Sequence, residues 1–364
     1  MRRREFIGIA AGLAAWPLTA NAQQQVKKPY RIGYIALSNR VPWIDGMVDG
    51  LRELGYVEGQ NLEIVWRLAT GKRDLIPEMA AELVRLNVDV IVAPNSTVAS
   101  MVKQATRTIP IVAVATHDGV GLGIYASLAH PGDNITGLES LAPELDVKRV
   151  QFLKEMFPKL SRLAVLYNPL DQGANIHPTI ITGAARTFGI KTELFEVRSP
   201  SEFEAVFATV LRNRPDGLLS VADPLTLVER KRIVDFCVEQ KIPNAHEIRE
   251  YVQLGGLLSY GASFYGIWHR SAYYIDKLLK GGAKTNELPV ELPTVFDLAI
   301  NLKAARLLDA RIPDGLVATA DLVIEWRLIA AAHESGYGRY CCKSLFRVKY
   351  ENFKNRRCGS CAAT

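Results

Sequence analysis

Two kinds of apolar pattern alternate along this chain. Continuous β-branched runs such as Val88–Ala93 and Ile109–Ala115 predict strands buried on both faces, the signature of parallel sheet covered by helices. Between them lie segments with apolar residues three and four apart, which predict amphipathic helices. The first half reads as strands at Tyr30–Leu37, Leu62–Arg67, Val88–Ala93, Ile109–Ala115 and Ile135–Leu138. Helices are expected at Ile44–Leu54, Arg73–Leu86 and Thr97–Thr106. The pattern then restarts. Helices at Asp146–Phe157, Asn175–Phe188, Ser201–Asn213 and Leu225–Gln240 alternate with strands at Arg162–Tyr167, Lys191–Val197, Gly217–Val221, Ile242–Ala245 and Gly256–Tyr260. A long helix, Phe264–Leu279, precedes an extended stretch at 289–293, a strand at Val295–Ile300 and a helix at Leu302–Leu308.

The repeat predicts an α/β protein of two doubly wound, parallel-sheet lobes joined by a hinge. Residues 23–142 and 264–292 read as lobe 1, and residues 143–263 and 293–326 as lobe 2. The chain would cross between the lobes near 139–146, 259–264 and 290–300. In such sheets ligands sit beyond the carboxyl ends of the strands. On lobe 1 those ends carry Ser38, Asn39, Asn95, Ser96, Thr97, Thr116 and Asp118; on lobe 2 they carry Tyr167, Asn168, Asp223 and Tyr260. These eleven residues are the candidate ligand-binding set. Ser96 and Thr97 open a helix, where N–H groups and hydroxyls suit a carboxylate; plain capping is the competing reading. Asp223 could pair an ammonium or could cap the next helix, and Tyr260 could stack on a flat solute or pack in the hinge. His117 reads as a solvated loop residue.

Composition adds a core: 48% of the 364 residues are apolar. The net charge of +6 is confined to the ends. Residues 1–22 hold three Arg and one Glu, and residues 327–364 hold eight Lys/Arg against two acids, so the remainder is mildly acidic. No nucleic-acid surface is indicated. Arg2–Arg4, the apolar run to Leu18 and Ala20-Asn21-Ala22 predict a secretory signal peptide cleaved near Ala22, with twin-arginine features at Arg3-Arg4. The mature protein is therefore expected in the periplasm. Cys237 reads as a buried small apolar residue. The other four cysteines fall in the basic tail, 327–364, which is unlike the body; a zinc site there is the alternative to an unrelated extension.

The stretches IPIVAVATHDGVGLGIYASLAHPGDNITGLES and PVELPTVFDLAINLKAARLLDARIPDGLVATADLVIE resemble the ABC-transporter substrate-binding family that includes the tryptophan-type binding proteins. Residues 129–137, with Pro131-Gly132 and Asn134-Ile135-Thr136-Gly137, are the most specific part. Asp118-Gly119 stands where the family shows Asp-Pro. The resemblance, covering Lys28 to Trp326, implies the type I periplasmic binding protein fold. It also implies capture of a small polar solute, an amino acid or similar, in the cleft and delivery to an ABC permease in the inner membrane. No catalysis, cofactor or metal is expected, and the protein reads as a monomer. A periplasmic ligand-binding sensor and a periplasmic enzyme are the alternatives. No Gly-x-Ser-x-Gly elbow or His-Glu-x-x-His helix supports the enzyme, and Gly119, Gly121 and Gly123 are misplaced for a dinucleotide loop.

Overall fold

The computed structural model describes residues 28–325 together with the strand Arg347–Tyr350. The signal peptide, its cleavage site and the tail cysteines lie outside the described residues.

Five parallel strands form the first sheet: β1 (Tyr30–Ala36), β2 (Leu62–Leu68), β3 (Val90–Pro94), β4 (Ile111–Thr116) and β5 (Ile135–Glu139), in the order β2-β1-β3-β4-β5. Every residue of β4 and β5 is buried, as continuous apolar runs require. The second sheet holds β6 (Arg162–Tyr167), β7 (Lys191–Glu196), β8 (Gly217–Ser220), β9 (Asn244–His246), β10 (Leu258–Ala262), β11 (Phe296–Asn301), β12 (Leu322–Glu325) and β13 (Arg347–Tyr350). Its order is β13-β12-β11-β10-β9-β8-β6-β7. Helices cover the sheets, so the chain is built as two α/β lobes.

The second sheet is not parallel throughout. β11 runs antiparallel to β10, pairing Ala262 with Phe296. The chain path explains this. It leaves β10 at the hinge, builds helix Phe264–Leu279 against the first lobe, and re-enters the second sheet at the same end. A strand that re-enters where its neighbour left must run the other way. On that return, Glu291 bridges to Leu138 of β5. The segment predicted as one helix, 225–240, is divided into Pro224–Val228 and Arg230–Glu239. A further helix, Asp314–Thr319, precedes β12.

Helix Phe264–Leu279 reaches the first lobe through close backbone contact with helix Asp45–Glu53. A Cβ at Gly46 would lie 2.5 Å from the Tyr265 carbonyl oxygen, and one at Gly50 would lie 2.7 Å from that of His269. Glycine alone permits that approach. Tyr56 Oη donates to Asp276 at 2.9 Å and Tyr265 Oη to Asp49 at 2.9 Å, fixing the helix along its length. The helix thereby carries Phe264 and Trp268 to the mouth of the first sheet.

Cys237 is fully buried in helix Arg230–Glu239, and burial pushes its thiol well above the usual range. Because the thiolate is the reactive species, Cys237 is expected to resist alkylation by iodoacetamide in the native protein. Peptide mass mapping should show its carbamidomethyl adduct only after denaturation.

Candidate functional site

The cleft is assembled from loops that follow strands of both lobes. From the first lobe come Ser38 and Asn39 after β1, and the start of helix Asn95–Ala105 after β3. From the second come the loop 168–173 after β6 and Asp223 after β8. Two adjoining cavities lie between them. The inner one, about 60 Å³, has an aromatic wall of Tyr34, Trp43, Phe264 and Trp268 facing Ser38, Asn95, Ser96, Asp171 and Asp223. The outer one, about 260 Å³, is lined by Asn39, Thr97, Asn168, Arg73 and Arg198, and again by Asp171 and Asp223. The two carboxylates belong to both chambers.

The aromatic wall is itself packed. Trp43 meets Phe264 edge-on with centroids 5.7 Å apart, and Tyr34 lies 5.9 Å from Trp268. Such surfaces take a flat apolar group well. The carboxylates are buried, Asp171 to 6% exposure and Asp223 to 4%. Burial pushes both above the ordinary range. Asp223 is pushed up to about 6, with the charge of Asp171 adding to the effect. Two buried acids beside one cavity resist double ionisation, so the site favours a proton or a cation between them.

The candidate hydroxyls are engaged within the protein. Ser96 Oγ donates to the His117 carbonyl at 2.8 Å and accepts from the His117 N–H at 2.9 Å. Thr97 Oγ1 donates to Asp171 Oδ2 at 2.9 Å and accepts from the Gln172 N–H at 3.0 Å, tying the lobes together. Asn95 stands in the left-handed region at φ 55° and accepts from the Val98 N–H at 3.0 Å. Asn168 Nδ2 donates to Asp223 Oδ2 at 2.6 Å. Asp223 also caps helix Pro224–Val228, accepting from the N–H groups of Leu225 and Thr226. It is both cap and cavity wall, so its two sequence readings were not exclusive.

Seven of the eleven candidates line the cleft: Ser38, Asn39, Asn95, Ser96, Thr97, Asn168 and Asp223. Four line neither cavity. A bulge at Ala115, with φ 57°, turns that residue into the cleft and buries Thr116 beneath it, beside Tyr125 Oη and the Leu138 carbonyl. Asp118 closes its own turn, accepting from the Gly121 N–H at 3.1 Å. Tyr167 Oη donates to Glu196 at 2.9 Å, and Tyr260 packs edge-on against Phe152 on the core of the second lobe. His117 is not the solvated residue expected; it is 8% exposed, lines the inner cavity and contacts the other lobe.

Sequence reasoning missed Asp171 and the four aromatic residues. Asp171 lies three residues beyond Asn168, in a strand-end loop that the strand-end rule already covers. Trp43 beside Pro42, and the i, i+4 pair of Phe264 and Trp268, were also readable at the helix start. Tyr34 sits within a strand, where nothing separates a cavity wall from core.

Two α/β lobes crossed three times by the chain, with a cleft at the carboxyl ends of their strands, define a two-lobed solute-binding protein of the type I periplasmic class. The chain belongs to the ABC transporter substrate-binding protein family, whose model matches residues 37–324. A tyrosine-binding protein from Clostridioides difficile is 24% identical over 293 residues, covering 79% of this chain and 84% of that relative. A conserved domain protein from Vibrio cholerae superposes with a TM-score of 0.75 at 28% identity, covering 80% of this chain and 99% of that one. An ABC domain from Streptococcus pneumonia in complex with L-Trp superposes with a TM-score of 0.75 at 25% identity, covering 82% and 100%. Proteins of this family are substrate-binding components of ABC transporters and work outside the cytoplasm. Among the described residues, no helix is long and apolar enough to cross a membrane, and no group of three or more His, Cys, Asp or Glu is placed to hold a metal ion.

Proposed function

We propose that this protein is the periplasmic solute-binding component of an ABC importer, and that its guest is an aromatic amino acid. The observation that carries the reading is one inner cavity bounded by four aromatic rings on one side and by the buried Asp171 and Asp223 on the other. The ring of the guest lies among Tyr34, Trp43, Phe264 and Trp268. Its ammonium sits by the two carboxylates. Its carboxylate meets backbone N–H groups at the start of helix Asn95–Ala105, where the helix dipole favours negative charge. The relatives that bind tyrosine and L-Trp support the same class. Export follows cleavage near Ala22, lobe 1 comprises residues 23–142 and 264–292, and the closed monomer delivers the guest to an inner-membrane permease.

A thermal-shift panel of the twenty amino acids tests the guest. Tyrosine, tryptophan or phenylalanine at a hundred times its Kd adds about 2.7 kcal/mol of stability and raises Tm, while quenching or shifting the emission of Trp43 and Trp268. Stabilisation by aliphatic or acidic amino acids with none by the aromatic ones refutes the reading.

The pH dependence has a definite sign. Asp223 has its value raised to about 6 in the guest-free fold, and an ammonium favours its ionised form. Below about pH 6 the guest must therefore expel a proton to bind. Affinity should fall by up to about tenfold per pH unit as pH drops through 6, measurable by titration calorimetry.

A further inference from the structure

An aromatic amino acid occupies only part of the cleft. The outer chamber, about 260 Å³, has more than four times the volume of the inner one, about 60 Å³. Asp171 and Asp223 wall both, so an ammonium held at those carboxylates stands where the two chambers adjoin. The start of helix Asn95–Ala105 also serves both, with Asn95 and Ser96 in the inner chamber and Thr97 in the outer. A guest with its ring among the aromatic residues and its ammonium at the carboxylates therefore has its carbonyl carbon at the entrance to the outer chamber.

The outer chamber also carries positive charge. Arg73 follows β2, the edge strand of the first sheet, and Arg198 follows β7, the edge strand of the second. Strand ends of both lobes thus bring one arginine each to a single space. Arg73 Nη1 donates to the Leu170 carbonyl of the other lobe. Among the described residues it forms no ion pair with a carboxylate; its charge acts on Asp171 at longer range, opposing the larger effect of burial there. Arg198 Nη2 pairs with Glu196, which also accepts from Tyr167 Oη at 2.9 Å. Glu202, the other acid beside Arg198, accepts from its backbone N–H at 2.9 Å. A guanidinium has five N–H donors in a planar fork, so each arginine keeps donors for a carboxylate.

We propose that this site also takes dipeptides whose first residue is aromatic, with the C-terminal carboxylate of the peptide held by Arg73 and Arg198 in the outer chamber. The proposal rests on the aromatic amino acid reading and extends it, the free amino acid being the smallest guest of the same site. In the peptide the first carbonyl is an amide oxygen, which accepts from the helix start as the free carboxylate does. The second α-carbon lies about 3.8 Å from the first, one step from the shared carboxylate wall into the outer chamber. The terminal carboxylate follows it. Ammonium against two aspartates and carboxylate against two arginines match the guest's charges to the site's along its length.

Two features follow from the lining. Leu170 and Val228 form an apolar rim of the outer chamber, 50% and 49% exposed. The second side chain meets that open rim rather than a closed pocket, so small and large apolar residues are both accepted there. Because one arginine comes from each lobe, the peptide carboxylate also joins the lobes, a closing contact that the free amino acid does not make.

Titration calorimetry on the full chain compares L-phenylalanine, the dipeptide Phe-Ala and its C-terminal amide. The dipeptide should bind at least as tightly as phenylalanine. Its amide should bind about tenfold or more weaker than the acid, the loss of a charge-assisted pair. Phe-Leu should behave as Phe-Ala does. In Arg198→Gln, and separately in Arg73→Gln, the preference for acid over amide should shrink to about threefold or less. Taking that ratio within each variant cancels any general effect on folding or closure, and the wild-type comparison needs no variant to fold. Binding of phenylalanine without Phe-Ala, or equal binding of acid and amide, overturns the proposal and leaves the amino acid reading standing. A preference for the acid that survives both substitutions overturns the assignment to the arginines. Silence of phenylalanine, tyrosine, tryptophan and the peptide alike removes the reading itself and the proposal with it.

Discussion

Asp171→Ala is expected to weaken binding of the aromatic amino acid by about 30-fold or more, the effect of removing one partner of a buried charged pair. Asp171 has two roles in the closed cleft. Its charge faces both cavities, and its Oδ2 accepts from Thr97 Oγ1 at 2.9 Å across the lobe interface. The alanine variant loses both. Asp171→Asn separates them, because its amide oxygen still accepts from Thr97 while the negative charge is gone. If the ammonium reading is right, the asparagine variant is nearly as weak as alanine. A neutral guest, or one whose cationic end lies elsewhere, would leave Asp171→Asn close to wild type in calorimetry. Removing Asp171 also relieves the repulsion that raises Asp223. In Asp171→Asn the loss of affinity should therefore begin at a lower pH than the value of about 6 that governs the wild type.

Gly137→Ala is expected to lower stability by about 4 kcal/mol or more, in the exceptional range for one substitution. Gly137 lies in β5, and a Cβ there would stand 1.8 Å from the Ala113 carbonyl oxygen in β4. The obstructing atom belongs to the backbone of a fully buried strand, so no rotamer change relieves it. The neighbouring strands must part, breaking the pairing that runs from Ile111–Ile135 to Val114–Leu138. Thermal denaturation should show a large fall in Tm or an insoluble product. Gly183→Ala is the control, since nothing lies within 4 Å of its added methyl and the site is helical. A Gly137→Ala protein with wild-type Tm would mean that β4 and β5 do not pair as described.

Some of this was written in the chain. The β-branched runs at 90–94 and 111–116 could only be covered strands, because alternation is absent and both faces must be dry. The restart of the strand and helix pattern after residue 142 announced a second lobe, and the strand-end rule picked Asn95, Asn168 and Asp223, which line the cavities between the lobes. These features depend on residues close together in sequence, whose periodicity is set by backbone geometry alone.

The rest depended on partners far apart in the chain. The antiparallel entry of β11 follows from where the hinge returns it, which no local pattern encodes. Thr116 was drawn from the cleft by a one-residue bulge at Ala115, and a slip of one residue reverses every side chain beyond it. The aromatic wall joins Tyr34 and Trp43 to Phe264 and Trp268, and His117 of one lobe lies against His177 of the other. Residue type sets what each of those side chains can donate, accept or bury. Only the packing of one lobe against the other decides which of them share a space, because contact energy falls off within a few ångströms and chain separation says nothing about it.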